Sequence, residues 1–335
     1  LNFGKKPKSK IKGQKSKVKI MFSKLIHPQY PTTALGLEKE SAAVVQLQKA
    51  GRGQFRLRRA ATIDLPDYLL NPSFDEKNIS DSKEFTEALS ELTISAGLGR
   101  QRKWSVSLPE ATTRSVVMTM ETKPSSRNEL EEVLQWKTER AFGASYDELR
   151  VSRNKLSADI KGQERYLLVG IKNSVLAEYE SIFETLGWHT GLILPRHFGE
   201  SRWLEMMTEK KTDEDSLLIS SHNAGFTAVL ISNAQPVVIR SVFCEDDYDD
   251  ELYRFLLYCR DRVFEKDTTT PRSLQSFLLV GHGFTRERVK QLVNETLDTK
   301  PRALDADDVG LVNLLSSRMA FNEVAAAAGM ATMAW

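Results

Sequence analysis

A three-stranded pattern occurs twice in this chain, and the repetition restricts its fold more than any other feature. Thr33 to Leu37 reads as a strand, Ala43, Val45 and Leu47 alternate as a second, and Lys49-Ala50-Gly51-Arg52-Gly53 supplies a glycine-bearing turn. Phe55, Leu57 and Ile63 continue into a third strand, closed by Leu65-Pro66. About 180 residues later, Leu217-Leu218-Ile219, Phe226 to Ile231 and Val237 to Val242 repeat the arrangement. Their connections are Ser220-Ser221-His222-Asn223-Ala224-Gly225 and Asn233-Ala234-Gln235-Pro236. Two such meanders, each leading one half of a 335-residue chain, point to a duplicated α/β lobe.

Helical spacing fills the intervals. Phe85, Leu89, Leu92 and Ala96 predict a helix from Lys83 to Ala96, stopped by Gly97 and Gly99. Trp104 to Leu108 is a strand halted by Pro109, and Ser115 to Glu121 is another. Ser125 or Ser126 caps a helix carrying Leu130, Val133, Leu134 and Trp136. A hairpin of Arg150 to Leu156 with Tyr166 to Ile171 follows, then a helix from Val175 to Leu186 ending at Gly187. The charged stretch Glu209 to Asp215 reads as the connector between lobes. Beyond it come an amphipathic helix from Asp249 to Phe264, a strand from Ser276 to Val280 leading into Gly281-His282-Gly283, and a helix from Phe284 to Leu297. A small-residue helix is expected from Leu311 to the end, its alanines (Ala325 to Ala328) allowing close packing on a sheet.

Composition excludes little but orders the alternatives. Apolar residues are 41% and charged residues 27%, ordinary values for a globular protein. No run of eighteen apolar residues is present and the start lacks a secretory apolar core, so a cytoplasmic location is expected. Cys244 and Cys259, placed on one predicted helix, fit a reducing compartment. The net charge of +2 hides nine lysines and no acid in residues 1–24, which leaves 38 basic against 45 acidic residues elsewhere, a net of −7. Residues 1–32 therefore read as a basic, disordered leader able to touch an anionic membrane surface. Met21 offers an alternative start within it.

Several chemistries are set aside on spacing alone. The five histidines (His27, His189, His197, His222, His282) lie in separate elements without a zinc-ligand spacing, and no G-x-S-x-G elbow exists. The acidic run Glu245-Asp246-Asp247 with Asp249-Asp250-Glu251 precedes a helix whose dipole it complements. Arg52, Arg56, Arg58 and Arg59 form a basic stripe, but Phe55 is the one aromatic interleaved with it, so no specific nucleic-acid binding is expected.

Six segments, in order, resemble one family. Ala34-Leu35-Gly36-Leu37-Glu38 with Val44-Val45-Gln46-Leu47 is similar to the opening strands of PilM proteins of type IV pilus assembly. Val106-Ser107-Leu108-Pro109, the helix Glu129 to Arg140, Leu167 to Gly170 with Val175 to Gly187, Leu278 to Phe284, and Ala325 to Met333 continue the likeness over residues 33–335. The resemblance implies an actin-like, ribonuclease H-like duplicated fold of two lobes with an inserted subdomain of the FtsA and PilM type. It divides the chain into a first lobe at 33–208, with the insertion at about 100–172, and a second at 209–335 whose last helix returns to the first. It further implies a scaffold at the cytoplasmic face of the inner membrane that binds the N-terminal tail of a PilN-like bitopic protein and contacts the assembly ATPases of the pilus machine.

The same resemblance implies an ATP–Mg²⁺ cleft, which would draw on Glu38, Ser41, Ser220, Asn223, Gly225, Thr227, Gly281 and Gly283. The residues depart from what that chemistry needs. Magnesium selects carboxylate and water oxygens, and phosphates need turns of small residues. At the first turn an expected Asp-Ile-Gly is Glu38-Lys39-Glu40, and at the second it is Ser220-Ser221-His222. A lost metal carboxylate and a gained like charge each cost on the order of 1–3 kcal/mol, so the site is expected to be degenerate and the chain not an enzyme. The competing readings are a working ATP switch or ATPase of the same fold, and a GspL-like secretion component.

Overall fold

The structure, a computed structural model, describes residues 29–121, 124–159, 161–208, 214–244, 246–264, 272–312, 314 and 319–335. The lysine-rich stretch, most of the charged connector and Glu245 lie outside the described residues.

Two five-stranded mixed sheets share one strand order. In the first, β1 (Thr33–Leu37), β2 (Ser41–Gly51) and β3 (Gln54–Asp64) form an antiparallel meander. Helix α1 (Ser82–Ser95), capped by the Asp81 carboxylate on the Lys83 and Glu84 amides, carries the chain over to β4 (Lys103–Leu108), which lies parallel to β1. A parallel pair requires such a crossover. The chain then leaves the sheet to build a three-stranded insertion from β5 (Arg114–Thr119), α2 (Arg127–Phe142), β6 (Leu149–Leu156) and β7 (Arg165–Lys172), in the order β5-β7-β6. Helix α3 (Asn173–Thr185) returns it to β8 (His189–Pro195), parallel to β4, completing the order β3-β2-β1-β4-β8.

Helix α4 (Arg196–Thr208) follows β8 without a loop. The second sheet then repeats the plan with β9 (Asp215–His222), β10 (Gly225–Ser232), β11 (Gln235–Phe243), α5 (Tyr248–Cys259), β12 (Leu274–Val280), α6 (Arg286–Leu297) and β13 (Arg302–Leu304). Its order, β11-β10-β9-β12-β13, is that of the first sheet strand for strand. Strands β9 and β10 are buried on both faces, which is why Leu217 to Ile219 and Phe226 to Ile231 read as continuous apolar runs. A short helix α7 (Ala306–Val309) and the terminal helix α8 (Phe321–Thr332) close the chain.

The two lobes exchange helices. Helix α8 lies on β1 and β2 of the first sheet, where Ala327 Cβ stands 3.2 Å from the position a Cβ on Gly36 would take. Helix α4 lies on β9 and β10 of the second sheet. Trp203 of α4, fully buried, donates its indole N–H to the Ala325 carbonyl of α8 at 2.9 Å. One apolar cluster therefore contains Ala34, Val45 and Phe55 from one sheet, Leu218, Val229 and Val280 from the other, and both helices between them.

Three local expectations need correction. Helix α5 ends at Cys259 and gives way to a π turn over Arg260–Phe264 instead of running straight to Phe264. Cys244 lies beyond β11 and outside the helix that ends with Cys259, and both thiols are free. The terminal helix begins at Phe321, not Leu311, because Leu311 bridges in parallel to Phe55 on β3. The Phe55 amide donates to Gly310 O and the Val312 amide to Phe55 O.

Candidate functional site

The cleft between the lobes is framed by two equivalent hairpin turns. Glu38-Lys39-Glu40 joins β1 to β2, closed by the Glu38 amide on the Ser41 carbonyl at 2.8 Å. Asn223-Ala224 joins β9 to β10, with His222 paired to Gly225. The turns touch: Asn223 Nδ2 donates to Glu40 Oε1 at 2.6 Å, across 183 positions of chain. On one side of this contact a cavity of about 330 Å³ is lined by residues including Glu38, Ser41, Arg196, Tyr248, Gly281 and Gly283. On the other, one of about 310 Å³ is lined by residues including Lys39, Ser73, Lys77, Glu110 and His222.

Five of the eight residues singled out in sequence, Glu38, Ser41, Asn223, Gly281 and Gly283, thus converge on one cavity. Ser220, Gly225 and Thr227 stand behind it. Ser220 is wholly buried in β9, and the Thr227 hydroxyl donates to Ser241 Oγ at 2.9 Å. Packing accounts for Gly281 without reference to a ligand. Its φ is +90°, and a Cβ there would approach the Ser221 carbonyl oxygen to 2.5 Å.

Beneath the turns lies a buried set of charges that the sequence reading missed. Arg196, the first residue of α4, donates from Nη1 to Glu38 Oε1 at 2.7 Å and from Nη2 and Nε to Glu200 Oε1 at 2.7 and 3.0 Å. His197 Nδ1 lies 2.8 Å from Glu110 Oε2, and the other Glu110 oxygen accepts from Ser241 Oγ of the second lobe at 3.0 Å. Glu110 thereby holds α4 and β11 together. Burial pushes the Glu38 carboxyl up to about 7, opposed by the Arg196 charge and reinforced by Glu200. Burial also acts to raise Glu110, but the His197 charge and hydrogen bond, with His222 and Ser241, outweigh it and hold this carboxyl at about 2. Burial works against the Arg196 cation as well, yet Glu200 and Glu38 keep it above its ordinary range. Burial lowers His222 to about 4, against the pull of Glu110. A signal for this cluster was available in Arg196-His197-Phe198-Gly199-Glu200, an i,i+4 ion pair immediately after Pro195. Among the described residues, no group of three or more His, Cys, Asp or Glu is placed to hold a metal ion.

A second concave feature belongs to the first lobe. A groove of about 390 Å³ separates β6 and β7 of the insertion from β8, lined by Val151, Val169, Leu176, Leu192, Ile193 and Leu194 among others. Among the described residues, strand β8 is an edge of its sheet and β6 an edge of the inserted one, so each presents an unpaired backbone side. Among the described residues, no helix is long and apolar enough to cross a membrane.

Duplicated sheets, exchanged helices and a cleft between paired hairpins define a two-lobed actin-like protein with an insertion in its first lobe. The chain has, more particularly, a PilM-like fold: it is similar to a solved PilM-PilN type IV pilus biogenesis complex, with a TM-score of 0.69, 16% identity, and coverage of 92% of this chain and 99% of that one. A protein of actin-like ATPase fold and unknown function from Bacteroides thetaiotaomicron overlaps at a TM-score of 0.47, with 10% identity over 85% of this chain and 93% of that one. The ethanolamine utilization protein EutJ from Carboxydothermus hydrogenoformans overlaps at 0.42, with 8% identity over 91% of each chain. No protein-family description matches the sequence, and no curated protein matches it.

Proposed function

We propose that this chain is a PilM-type scaffold of type IV pilus assembly that holds the cytoplasmic N-terminal tail of a PilN-like bitopic protein. The observation that carries this reading is the groove beside β8. It joins a free strand edge to a row of half-buried aliphatic side chains, the combination an extended peptide needs for main-chain pairing and side-chain anchoring. The solved complex with the same fold contains a PilN partner, which supports assigning that kind of ligand. In this reading the first lobe spans 33–208 and the second 209–335, and the insertion occupies only the part of 100–172 that follows β4, since Lys103–Leu108 belongs to the main sheet. The protein acts at the cytoplasmic face of the inner membrane, where it contacts the pilus assembly ATPases and its lysines meet anionic lipid.

The interlobe cleft, in the same reading, is a closed joint and not a working ATP site. A magnesium triphosphate would place its phosphates between the two hairpin turns. That space is spanned by the Glu40–Asn223 hydrogen bond, whose carboxylate is a like charge to phosphate. The acid at the metal position, Glu38, is taken up by Arg196. These residues do not fit the group. The test is fluorescence anisotropy of the full chain with a labelled peptide from the cytoplasmic N-terminal tail of a PilN-like bitopic protein. Micromolar binding that Ile193→Asp abolishes is expected. Absence of binding at high micromolar peptide would overturn the assignment.

A further inference from the structure

A cavity of about 670 Å³, twice the size of either half of the cleft, opens where the far end of the insertion meets the second lobe. One wall is the β6–β7 turn and the end of β5; the other is the β10–β11 turn, the end of α5 and Arg272. The Ser157 amide donates to Gln235 Oε1 at 2.9 Å and joins the two walls.

Among the described residues, four cations face this space, Lys161, Arg165, Arg262 and Arg272, and they are not equally engaged. Arg272 is committed: its Nε and Nη2 donate to Asp215 at 3.1 and 2.6 Å, and Nη2 also to Ser232 Oγ at 2.8 Å. Half-buried Arg165 is different. Its Nε donates to the Ser157 carbonyl at 2.9 Å, and the guanidinium forms no ion pair among the described residues. Burial holds that guanidinium below its ordinary range, Asp159 opposes the shift, and the like charge of Arg272 adds to it. Exposed Arg262, on the π turn, has no carboxylate partner among the described residues. The acids on the walls do not satisfy these groups. Asp159 Oδ1 accepts from the Lys161 and Gln163 amides at 2.9 and 2.7 Å, and Glu121 sits exposed at the rim. A partly desolvated arginine lacking an anion is unfavourable, and its planar fork matches phosphate oxygens. The Tyr258 ring, also on the wall and about half exposed, offers a flat apolar face beside the charges.

We propose that this cavity binds a phosphate-bearing small molecule of nucleoside monophosphate size, its phosphate held between Arg165 and Arg262 and its base against Tyr258. The volume lies within the range of small-molecule pockets. The Ser157–Gln235 contact closes one side and so limits the length of any occupant. Because Arg165 belongs to the insertion while Arg262 and Tyr258 belong to the second lobe, an occupant fastens the one to the other.

The test is calorimetric titration of the full chain with AMP, and separately with pyrophosphate, in magnesium-free buffer of low ionic strength. Saturable binding of both is expected. Arg165→Gln and Arg262→Gln should each weaken it by about tenfold or more, the loss of a charge-assisted contact. Tyr258→Ala should weaken AMP while sparing pyrophosphate. Arg262 is exposed, so its replacement leaves packing intact and the test holds even where Arg165→Gln fails to fold. No saturable binding of either probe at millimolar concentration overturns the proposal, as does undiminished AMP affinity in Arg262→Gln, which would place the ligand elsewhere.

Discussion

Gly199 of α4 and Gly329 of α8 meet backbone to backbone: a Cβ on Gly329 would overlap the Gly199 carbonyl oxygen, and one on Gly199 would overlap the carbonyl of Ala326. The exchanged helices cross at this point, so neither can acquire a methyl group without moving apart. Gly199→Ala and Gly329→Ala are each expected to lower stability by about 2–3 kcal/mol, read as a reduced urea midpoint. Gly143→Ala, where nothing lies within 4 Å and only the positive φ of 71° resists, should cost about 1 kcal/mol. Equal losses at all three sites would mean the crossing is not tight.

Arg196→Met should be far more damaging than its size suggests. It leaves Glu200, with 0% of its side chain exposed, charged and unpaired. Removing one partner of a buried pair costs about 3–5 kcal/mol. The double change Arg196→Met with Glu200→Met should recover much of that loss, measured by chemical denaturation. A double variant no better than the single one would contradict the pairing.

Opposed pH dependences are built into the cleft. Glu38, raised from 4.5 to about 7, binds more protons folded than unfolded, so its contribution to stability grows as pH falls from 7 to 4.5. His222, lowered from 6.5 to about 4, binds fewer protons folded, so its contribution is lost as pH falls through 6.5 towards 4. Melting temperatures of Glu38→Gln should therefore fall more steeply between pH 6.5 and 4.5 than those of the wild type, and His222→Gln should do the reverse. Parallel pH profiles for all three proteins would refute the assignment.

Ligand addition offers a further check. A ligand at 100 times its Kd adds about 2.7 kcal/mol to folding stability. In an Arg262→Gln background, which removes the phosphate contact proposed for the other cavity, millimolar Mg-ATP should leave the melting temperature unmoved, and adding Glu40→Gly, which removes the bridging carboxylate, should begin to give a response. A saturable, magnesium-dependent shift in Arg262→Gln alone would reverse the reading of the cleft as closed.

Much of the fold was legible in order along the chain. The two meanders, the helix expected over Lys83 to Ala96 and found at Ser82–Ser95, the inserted helix behind Ser126 and the β6–β7 hairpin were readable because alternation, capping and turn chemistry act over a few residues. Strand β8 and helix α4 were not. Helix α4 lies between its own lobe and the opposite sheet, so it has no single apolar stripe, and Arg196, Trp203 and Glu200 are buried together. Sequence alone therefore determined most of the strands and helices, β8 and α4 excepted, and that the chain repeats itself. The cleft was decided only by tertiary structure, because Glu38, Glu110, Arg196 and Ser241 are far apart along the chain and acquire their partners, and their altered proton affinities, when the lobes close over them. Gly281 shows the same limit: in sequence it reads as a phosphate turn, while in the folded chain its conformation answers to the Ser221 backbone beside it.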